Sequence, residues 1–192
     1  MRIEEVTLRA TVADHREGPR EPLPQVAFAG RSNVGKSSFL NALFGRTLAA
    51  VSKTPGKTRT INYYLVNNRC FFVDLPGYGY ARTGRGEREA WGGRITAYLK
   101  QEHRLKLVVG LIDPRIPTSP LDQDLVTFAH EAGRPLLLVM TKTDRLGRGE
   151  LARAAQRLAR ELGTGAAPLS FSAHTGTGRK DVLVAIARAL AA

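Results

Sequence analysis

The octapeptide "GRSNVGKS" (Gly30 to Ser37) constrains this 192-residue chain more than any other stretch, because it fits G-x-x-x-x-G-K-[ST] and sits between two opposed periodicities. Before it, "QVAFA" (Gln25 to Ala29) is a short apolar run, the pattern of a buried strand. After it, "KSSFLNALFG" places Phe39, Leu40, Leu43 and Phe44 at helical spacing, with Gly45 as a stop. A strand that breaks into such a loop and re-forms as a helix offers its backbone N–H groups to phosphate oxygens, and the helix N-terminus adds partial positive charge. Gly30, Arg31, Ser32, Asn33, Val34, Gly35, Lys36 and Ser37 are therefore expected to form a cradle. Lys36 reaches the β- and γ-phosphates and the Ser37 hydroxyl ligates Mg²⁺. A glycine-rich turn without a ligand is the alternative, and the flanking strand and helix patterns weigh against it. The motif specifies a nucleoside triphosphate and is silent about the base.

The rest of the chain reads as alternating strands and helices. Residues 1–24, rich in charge and proline, form an irregular or strand-forming arm. "VSKTPGKTRT" (Val51 to Thr60) has loop composition. "INYYLV" (Ile61 to Val66) and "CFFVD" (Cys70 to Asp74) are strands joined by Asn67, Asn68 and Arg69. A helix follows around "REAWGGRITAYLKQE". Strands "LKLVVGLID", "PLLLVMT" and "APLSFS" then alternate with helices "LDQDLVTFAHEAG", "GELARAAQRLARELG" and "KDVLVAIARALA". Such alternation predicts an α/β fold over residues 1–192, without a linker: a mostly parallel six-stranded sheet, one antiparallel edge strand, and helices on both faces.

"LLLVMTKTD" supplies the base. Thr141, Lys142, Thr143 and Asp144 follow a buried strand, at the sheet end where ligands of parallel α/β folds sit. The Asp144 carboxylate can accept from both the ring N–H and the exocyclic amine of guanine, whereas adenine would leave that charge unpaired. The Lys142 stem can lie along the base plane. A surface turn is the plainer reading of T-K-x-D in isolation. "SFSAHTG" (Ser170 to Gly176) ends the last strand and can offer N–H groups to the guanine carbonyl. Asp74 ends a strand as a magnesium-holding carboxylate does, and Gly77 brings an N–H to the γ-phosphate with no side chain in the way. Thr58, in "PGKTRT", is the candidate for a second hydroxyl on Mg²⁺. Loops that touch only the γ-phosphate and its metal order in one state and relax in the other, so these segments suggest a switch.

Composition narrows the setting. The formal net charge is +12, from 29 Lys and Arg against 17 Asp and Glu, which favours an anionic partner, nucleic acid ahead of a membrane surface. The single Cys70 forms no internal disulfide and suits a reducing compartment. No secretory leader and no membrane-length apolar run are visible, so a cytoplasmic protein is expected.

Five segments together carry a resemblance: "VAFAGRSNVGKSS", "PGKT", "DLPGYGYA", "TKTD" and the last "FSA" are similar to the five motifs of translation-factor-type GTPases. The first and third closely resemble the EngB family of bacterial ribosome-biogenesis GTPases, and the likeness extends over nearly the whole chain, including "IDPR" and "LDQD". It implies a Ras-like G domain that hydrolyses GTP slowly with Mg²⁺. It further implies a role in large-ribosomal-subunit assembly linked to cell division, with ribosomal RNA or a subunit precursor as partner, no membrane, and a monomeric state. The implied phosphate and switch contacts are Gly30 to Ser37, then Gly56, Lys57, Thr58, Arg59 and Thr60, then Asp74, Leu75, Pro76 and Gly77. Thr141 to Asp144 with Phe171, Ser172 and Ala173 would bind guanine; Ser37, Thr58 and Asp74 would hold the metal; and Lys36, Thr58 and Gly77 would act on the transferring phosphate. Related GTPases with an asparagine at the place of Asn33 coordinate K⁺, although a loop-stabilising hydrogen bond is the equal alternative. Tyr78 stands where a water-orienting Gln is common, and the resemblance implies that its ring retracts from the phosphate.

The RNA-contacting face has two candidates, the segment with Arg82, Arg85 and Arg88 and the loop with Lys53, Lys57 and Arg59. A small-molecule kinase is disfavoured because no acceptor lid is marked. A lipid-anchored small GTPase is disfavoured because "ARALAA" carries no cysteine. A module that binds GTP with little hydrolysis is the remaining alternative.

Overall fold

The computed structural model describes residues 1–49, 60–79 and 85–192, with the backbone alone for residues 85–91. Its strands are β1 (Val6–Val12), β2 (Gln25–Gly30), β3 (Ile61–Val66), β4 (Cys70–Asp74), β5 (Leu105–Ile112), β6 (Leu136–Met140) and β7 (Leu169–Ser170). Its helices are α1 (Lys36–Phe44), α2 (Arg85–Gln101), α3 (Pro120–Glu131), α4 (Arg148–Glu161) and α5 (Arg179–Ala191). The strands form one seven-stranded sheet in the order β1-β3-β4-β2-β5-β6-β7. β2 runs parallel to β4 and β5, β5 to β6, and β6 to β7, while β3 is antiparallel to both β1 and β4.

The expected α/β sheet with antiparallel pairing at one edge is present, with one correction. It has seven strands rather than six, because the N-terminal arm contributes β1 outside the hairpin. The hairpin turn explains why that arm docks. Asn67 and Asn68 take left-handed φ values of 51° and 53°, which asparagine tolerates. The Asn67 carboxamide then accepts from Glu4 N (2.8 Å) and Glu5 N (3.0 Å) and donates to Arg2 O (2.7 Å). That side chain helps to fix the register of an edge strand in which Val6 alone is fully buried.

β2 is buried along its whole length, so its alternate residues face different cores. Val26 and Phe28 join Phe39, Leu40, Phe72, Phe171, Val182 and Ile186, which places α1 and α5 on that face. Ala27 and Ala29 join Phe71, Val73, Ile95, Tyr98, Leu99 and Leu125, under α2 and α3. α4 closes its part of the sheet with Ala154 and Leu158 against Ile112, Leu138 and Met140. At the pole formed by the N-terminal ends of the parallel strands, Tyr98 Oη donates to Gln25 Oε1 (2.8 Å) and Gln25 Nε2 donates to Glu102 (3.1 Å). Arg104 pairs with Glu102 and donates to Pro19 O (2.9 Å) and Glu21 O (2.6 Å), strapping the arm across that end.

The opposite pole, at the strand C-terminal ends, depends on one close approach. Gly178 has φ +77°, and a β-carbon there would lie 1.8 Å from Ser170 O. Only glycine lets α5 start against β7, which positions the segment after Ser170. Gly178→Ala is therefore expected to destabilise the fold by about 3 kcal/mol or more, combining left-handed strain with a backbone clash. Urea unfolding measures this; a loss under about 1 kcal/mol would show that the approach can relax.

Candidate functional site

The phosphate-loop residues lie between the end of β2 and the start of α1, where the sequence places them. Gly30 admits no side chain, since a β-carbon would stand 2.9 Å from Leu111 O and from Val34 Cγ1. Asn33 (φ 63°) and Gly35 (φ 100°) bend the chain into a loop, and α1 begins without any side-chain cap on its N-terminal amides. The carbonyls of this loop are held by other segments. Gly30 O accepts from Tyr78 N (3.3 Å), Arg31 O from Val34 N (3.1 Å), and Gly35 O from Phe39 N (2.8 Å). Asn33 O accepts from Lys142 Nζ and Val34 O from Thr141 Oγ1, both at 2.7 Å. Because each peptide unit is planar with N–H and C=O opposed, fixing a carbonyl also fixes the direction of the N–H that follows it; the Ser32 and Val34 N–H groups are themselves taken by Tyr78 O and Arg31 O.

Lys36 and Asp74 are both buried, and the lysine Nζ pairs directly with Asp74 Oδ1. Asp74 ends β4 opposite Phe28 of β2, which brings the carboxylate beside the cradle. It is the carboxylate there, and with the half-buried Ser37 hydroxyl it makes a hard oxygen set. Such a sparse set fits Mg²⁺, which keeps waters and takes most ligands from phosphates. Among the described residues no group of three or more His, Cys, Asp or Glu side chains could hold a metal by itself. Leu75 is fully buried, and its N–H donates to Phe28 O (3.0 Å), carrying the chain through Pro76 to Gly77. A β-carbon on Gly77 would stand 3.4 Å from Ser32 N, so this glycine faces the loop at van der Waals distance. Arg31 instead turns away and donates to Pro117 O (3.2 Å). Of the switch residues, Thr60 is described as a half-buried bend, while Gly56, Lys57, Thr58 and Arg59 lie outside the described residues. So do Lys53 and Arg82 and the side chains of Arg85 and Arg88.

Tyr78 is buried at 3 % exposure and stitched on three sides. Its backbone donates to Gly30 O and accepts from Ser32 N (2.7 Å), and its hydroxyl donates to Asp122 Oδ1 (2.8 Å). Asp122 Oδ2 in turn accepts from Ser119 N and Oγ in a capping box at the start of α3. Burial, joined by the Asp122 charge, pushes the phenol well above its ordinary value. The hydroxyl is thus a fixed donor aimed at α3.

The base-reading residues converge on the same rim. Thr141 and Thr143 are buried, with Thr143 N donating to Phe171 O (3.3 Å). Lys142, at φ 55°, divides its ammonium between Asn33 O and Asp113 Oδ2 (3.1 Å). Asp144 is exposed, and Oδ1 accepts from Ser172 Oγ (2.6 Å). That hydrogen bond is the main reason its carboxyl lies below the usual range. Ser172 Oγ also accepts from His174 N (3.2 Å) and Thr175 N (3.1 Å), and Ser172 N donates to Thr177 O. Within 172–175 this leaves the Ala173 N–H as the amide without an acceptor among the described residues. Phe171 packs on Phe39 of α1 with ring centroids 4.3 Å apart, joining base rim to phosphate loop.

Three residues have roles that the motifs do not give. Asp113, following β5, binds both Lys142 and Arg115. Its burial works against the charge, but those hydrogen bonds prevail and bring its carboxyl down to about 2. Asp122 anchors Tyr78, and the Ser172 hydroxyl orients Asp144. Ser172 is expected at the base from the sequence, but its bond to Asp144 is not; Asp113 and Asp122 stand in "IDPR" and "LDQD", segments to which the sequence assigns no role.

Residues 25–142 match the family described as 50S ribosome-binding GTPases. The chain belongs to the EngB family of P-loop GTPases. It is 43% identical over 169 residues, 88% of each chain, to the "Probable GTP-binding protein EngB" of Chlorobaculum tepidum. To the protein of the same description from Petrotoga mobilis it is 42% identical over 192 residues, covering 99% of this chain and 98% of that one. Among solved structures, a crystal structure of a probable GTP-binding protein engB superposes with TM-score 0.69 at 20% identity, over 86% of this chain and 98% of that one. Era in complex with MgGDPNP and nucleotides of 16S ribosomal RNA superposes at 0.67 and 20% identity, over 86% of this chain and 56% of that one. These two likenesses concern the fold. The family makes this chain a GTP-binding GTPase.

Two outcomes follow from the base rim and Tyr78. Asp144→Asn is expected to weaken GDP by about 1.5–3 kcal/mol, the scale of a charged hydrogen bond, and to gain xanthosine diphosphate, whose 2-oxo group accepts from the new amide. Competition titration with both nucleotides measures this, and unchanged GDP affinity would remove Asp144 from the base site. Tyr78→Phe strips one donor from a buried carboxylate and is expected to cost about 1–3 kcal/mol of stability while leaving basal hydrolysis within a few-fold. A collapse of turnover in a variant that still melts cooperatively would give the hydroxyl a chemical role.

Proposed function

We propose that the chain is a cytoplasmic nucleotide switch in assembly of the large ribosomal subunit, linked to cell division, which hydrolyses GTP slowly until a ribosomal partner engages it. The observation that carries this is the union of phosphate cradle and guanine rim through Lys142 and Thr141, in a chain whose family is described as binding the 50S ribosome. Era, which shares the fold, was solved with ribosomal RNA. The net charge of +12 supports an RNA-rich partner, since phosphate contacts supply much of the affinity for nucleic acid. The working form is a monomer with no membrane partner. Among the described residues no helix is long and apolar enough to cross a bilayer.

In this reading the amides of Gly30 to Ser37 hold the phosphates, and Lys36 leaves Asp74 for the β- and γ-phosphates. Ser37, Thr58 and Asp74 would hold Mg²⁺, which supplies charge to the phosphate oxygens. Gly77 senses the γ-phosphate, and Asp144, Lys142 and Ala173 select guanine. Slow turnover follows from Tyr78, whose hydroxyl is committed to Asp122 and cannot orient water. Asn33 supports K⁺ as an additional cation, because its exposed carboxamide makes no hydrogen bond among the described residues.

The decisive measurement is sedimentation of purified protein with large ribosomal subunits in GDP and in a non-hydrolysable GTP analogue. Nucleotide-dependent co-sedimentation and faster turnover with subunits are expected; tight GTP binding with neither would favour a binding module. Turnover in K⁺ should exceed that in Na⁺, and equal rates would remove the potassium reading. Asp74→Asn is expected to abolish the Mg²⁺ dependence of nucleotide affinity.

A further inference from the structure

Many of the arginines among the described residues are committed within the fold. Arg31, Arg46, Arg104, Arg134, Arg157 and Arg179 all donate to backbone carbonyls. α4 differs. Its Arg148, Arg153 and Arg160 are exposed and make no hydrogen bond or ion pair among the described residues. The helix's own carboxylates do not neutralise them. Glu150 accepts from Gly147 N (2.8 Å), and Glu161 accepts from Thr118 Oγ1 (3.0 Å) and pairs with Arg157.

We propose that the solvent face of α4, carried by Arg148, Arg153 and Arg160, docks the phosphate backbone of RNA. Ala154 and Leu158 are buried on the side of the helix opposite Arg153 and Arg160, with Arg148 on its flank in the first turn, so the arginines project from a rigidly seated element. Arg153 and Arg160 lie two turns apart on the outermost line of the helix, roughly 10 Å at 1.5 Å per residue. Beside them stand Gly149 and Ala152, whose small size leaves the backbone of a partner room to approach. Arg148 occupies the first turn, where a cation is opposed by the helix dipole. No partner within the described chain offsets that cost, whereas a phosphate would. The same face has no large apolar side chain to insert into lipid, which separates it from a membrane-binding helix. Guanidinium groups also suit phosphate geometry through paired N–H donors. The choice of RNA over another polyanion rests on the ribosomal reading above; the surface itself does not decide it.

The test uses the full chain with Arg148, Arg153 and Arg160 replaced by Gln. Arg145 is left intact because it adjoins Asp144. A control variant carries Arg69→Gln, Lys180→Gln and Arg188→Gln, removing equal charge from other positions that also have no partner among the described residues. The probe is deproteinised large-subunit ribosomal RNA, titrated across KCl concentrations. The α4 variant is expected to bind roughly tenfold or more weakly, with the slope of log affinity against log salt reduced by about 0.7–0.9 for each phosphate no longer neutralised. GDP affinity and melting temperature should stay at wild-type values, and the control should keep the wild-type slope. A wild-type slope in the α4 variant overturns the proposal, as does an equal loss in the control. So does a wild type that binds phosphatidylserine vesicles through these arginines and not RNA. A wild type that binds the RNA through α4 yet fails to sediment with large subunits supports the face while overturning the ribosomal reading.

Discussion

The nucleotide site depends on the outward pinning of the phosphate-loop carbonyls. A loop of this length has no repeating ladder to define it, and its amides aim inward only if their carbonyl partners are anchored. The anchors come from three separate stretches: Tyr78 after β4, Thr141 and Lys142 after β6, and Phe39 within α1. The residues that sequence reasoning assigns to the base therefore also shape the phosphate cradle. Thr141 spends its hydroxyl on Val34 O, so a threonine there is explained before any nucleotide is considered. Lys142 does the same for Asn33, steadied by Asp113. The two ends of a bound nucleotide are thus joined through the protein by direct hydrogen bonds as well as through the ligand.

Tyr78 gives the switch segment a different character from one that ends in a mobile polar residue. Its ring is buried, its backbone pairs with the phosphate loop on both sides, and its hydroxyl reaches Asp122, whose other oxygen caps α3. Any rotation of Gly77 toward a γ-phosphate must act against these bonds or carry them along. The tyrosine is consequently an anchor between the loop and α3, and the catalytic orientation of water has to come from elsewhere.

Much of this was legible in the sequence because period and punctuation agree. Strand β2, helix α1 and the β3–β4 hairpin fall where alternation, helical spacing and the Asn-Asn turn predict them. The seventh strand was not legible as a strand pairing, because the alternation of Val6, Leu8, Ala10 and Val12 with polar residues names no partner, and the Asn67 side chain that holds the arm is remote in sequence. In the site, the glycines, the strand-terminal Asp74 and Asp144 in the turn after β6 are readable because their chemistry needs a fixed spacing. Asp113, Asp122 and Ser172 act through residues remote in sequence, Asp122 being 44 positions from Tyr78. Local pattern carries no information about such pairs, and only the topology of the parallel sheet brings them together.

That topology also divides the molecule electrically. At the N-terminal pole Gln25, Tyr98, Glu102 and Arg104 satisfy one another and close the core. At the C-terminal pole the carboxylates Asp113 and Asp144 are both held below the ordinary range, Asp113 by Arg115 and Lys142 and Asp144 first by Ser172. A carboxyl depressed on folding stabilises the native state above its unfolded value, and the contribution is lost only as pH falls through the depressed one. For Asp113 that window runs from the ordinary aspartate range down to about 2. Neither group changes charge near neutrality. What can change is the counter-charge offered to Lys36 and Asp74, which already neutralise each other. Breaking a buried pair costs several kcal/mol unless each partner is given a new one. A nucleoside triphosphate with a cation would offer both replacements at once.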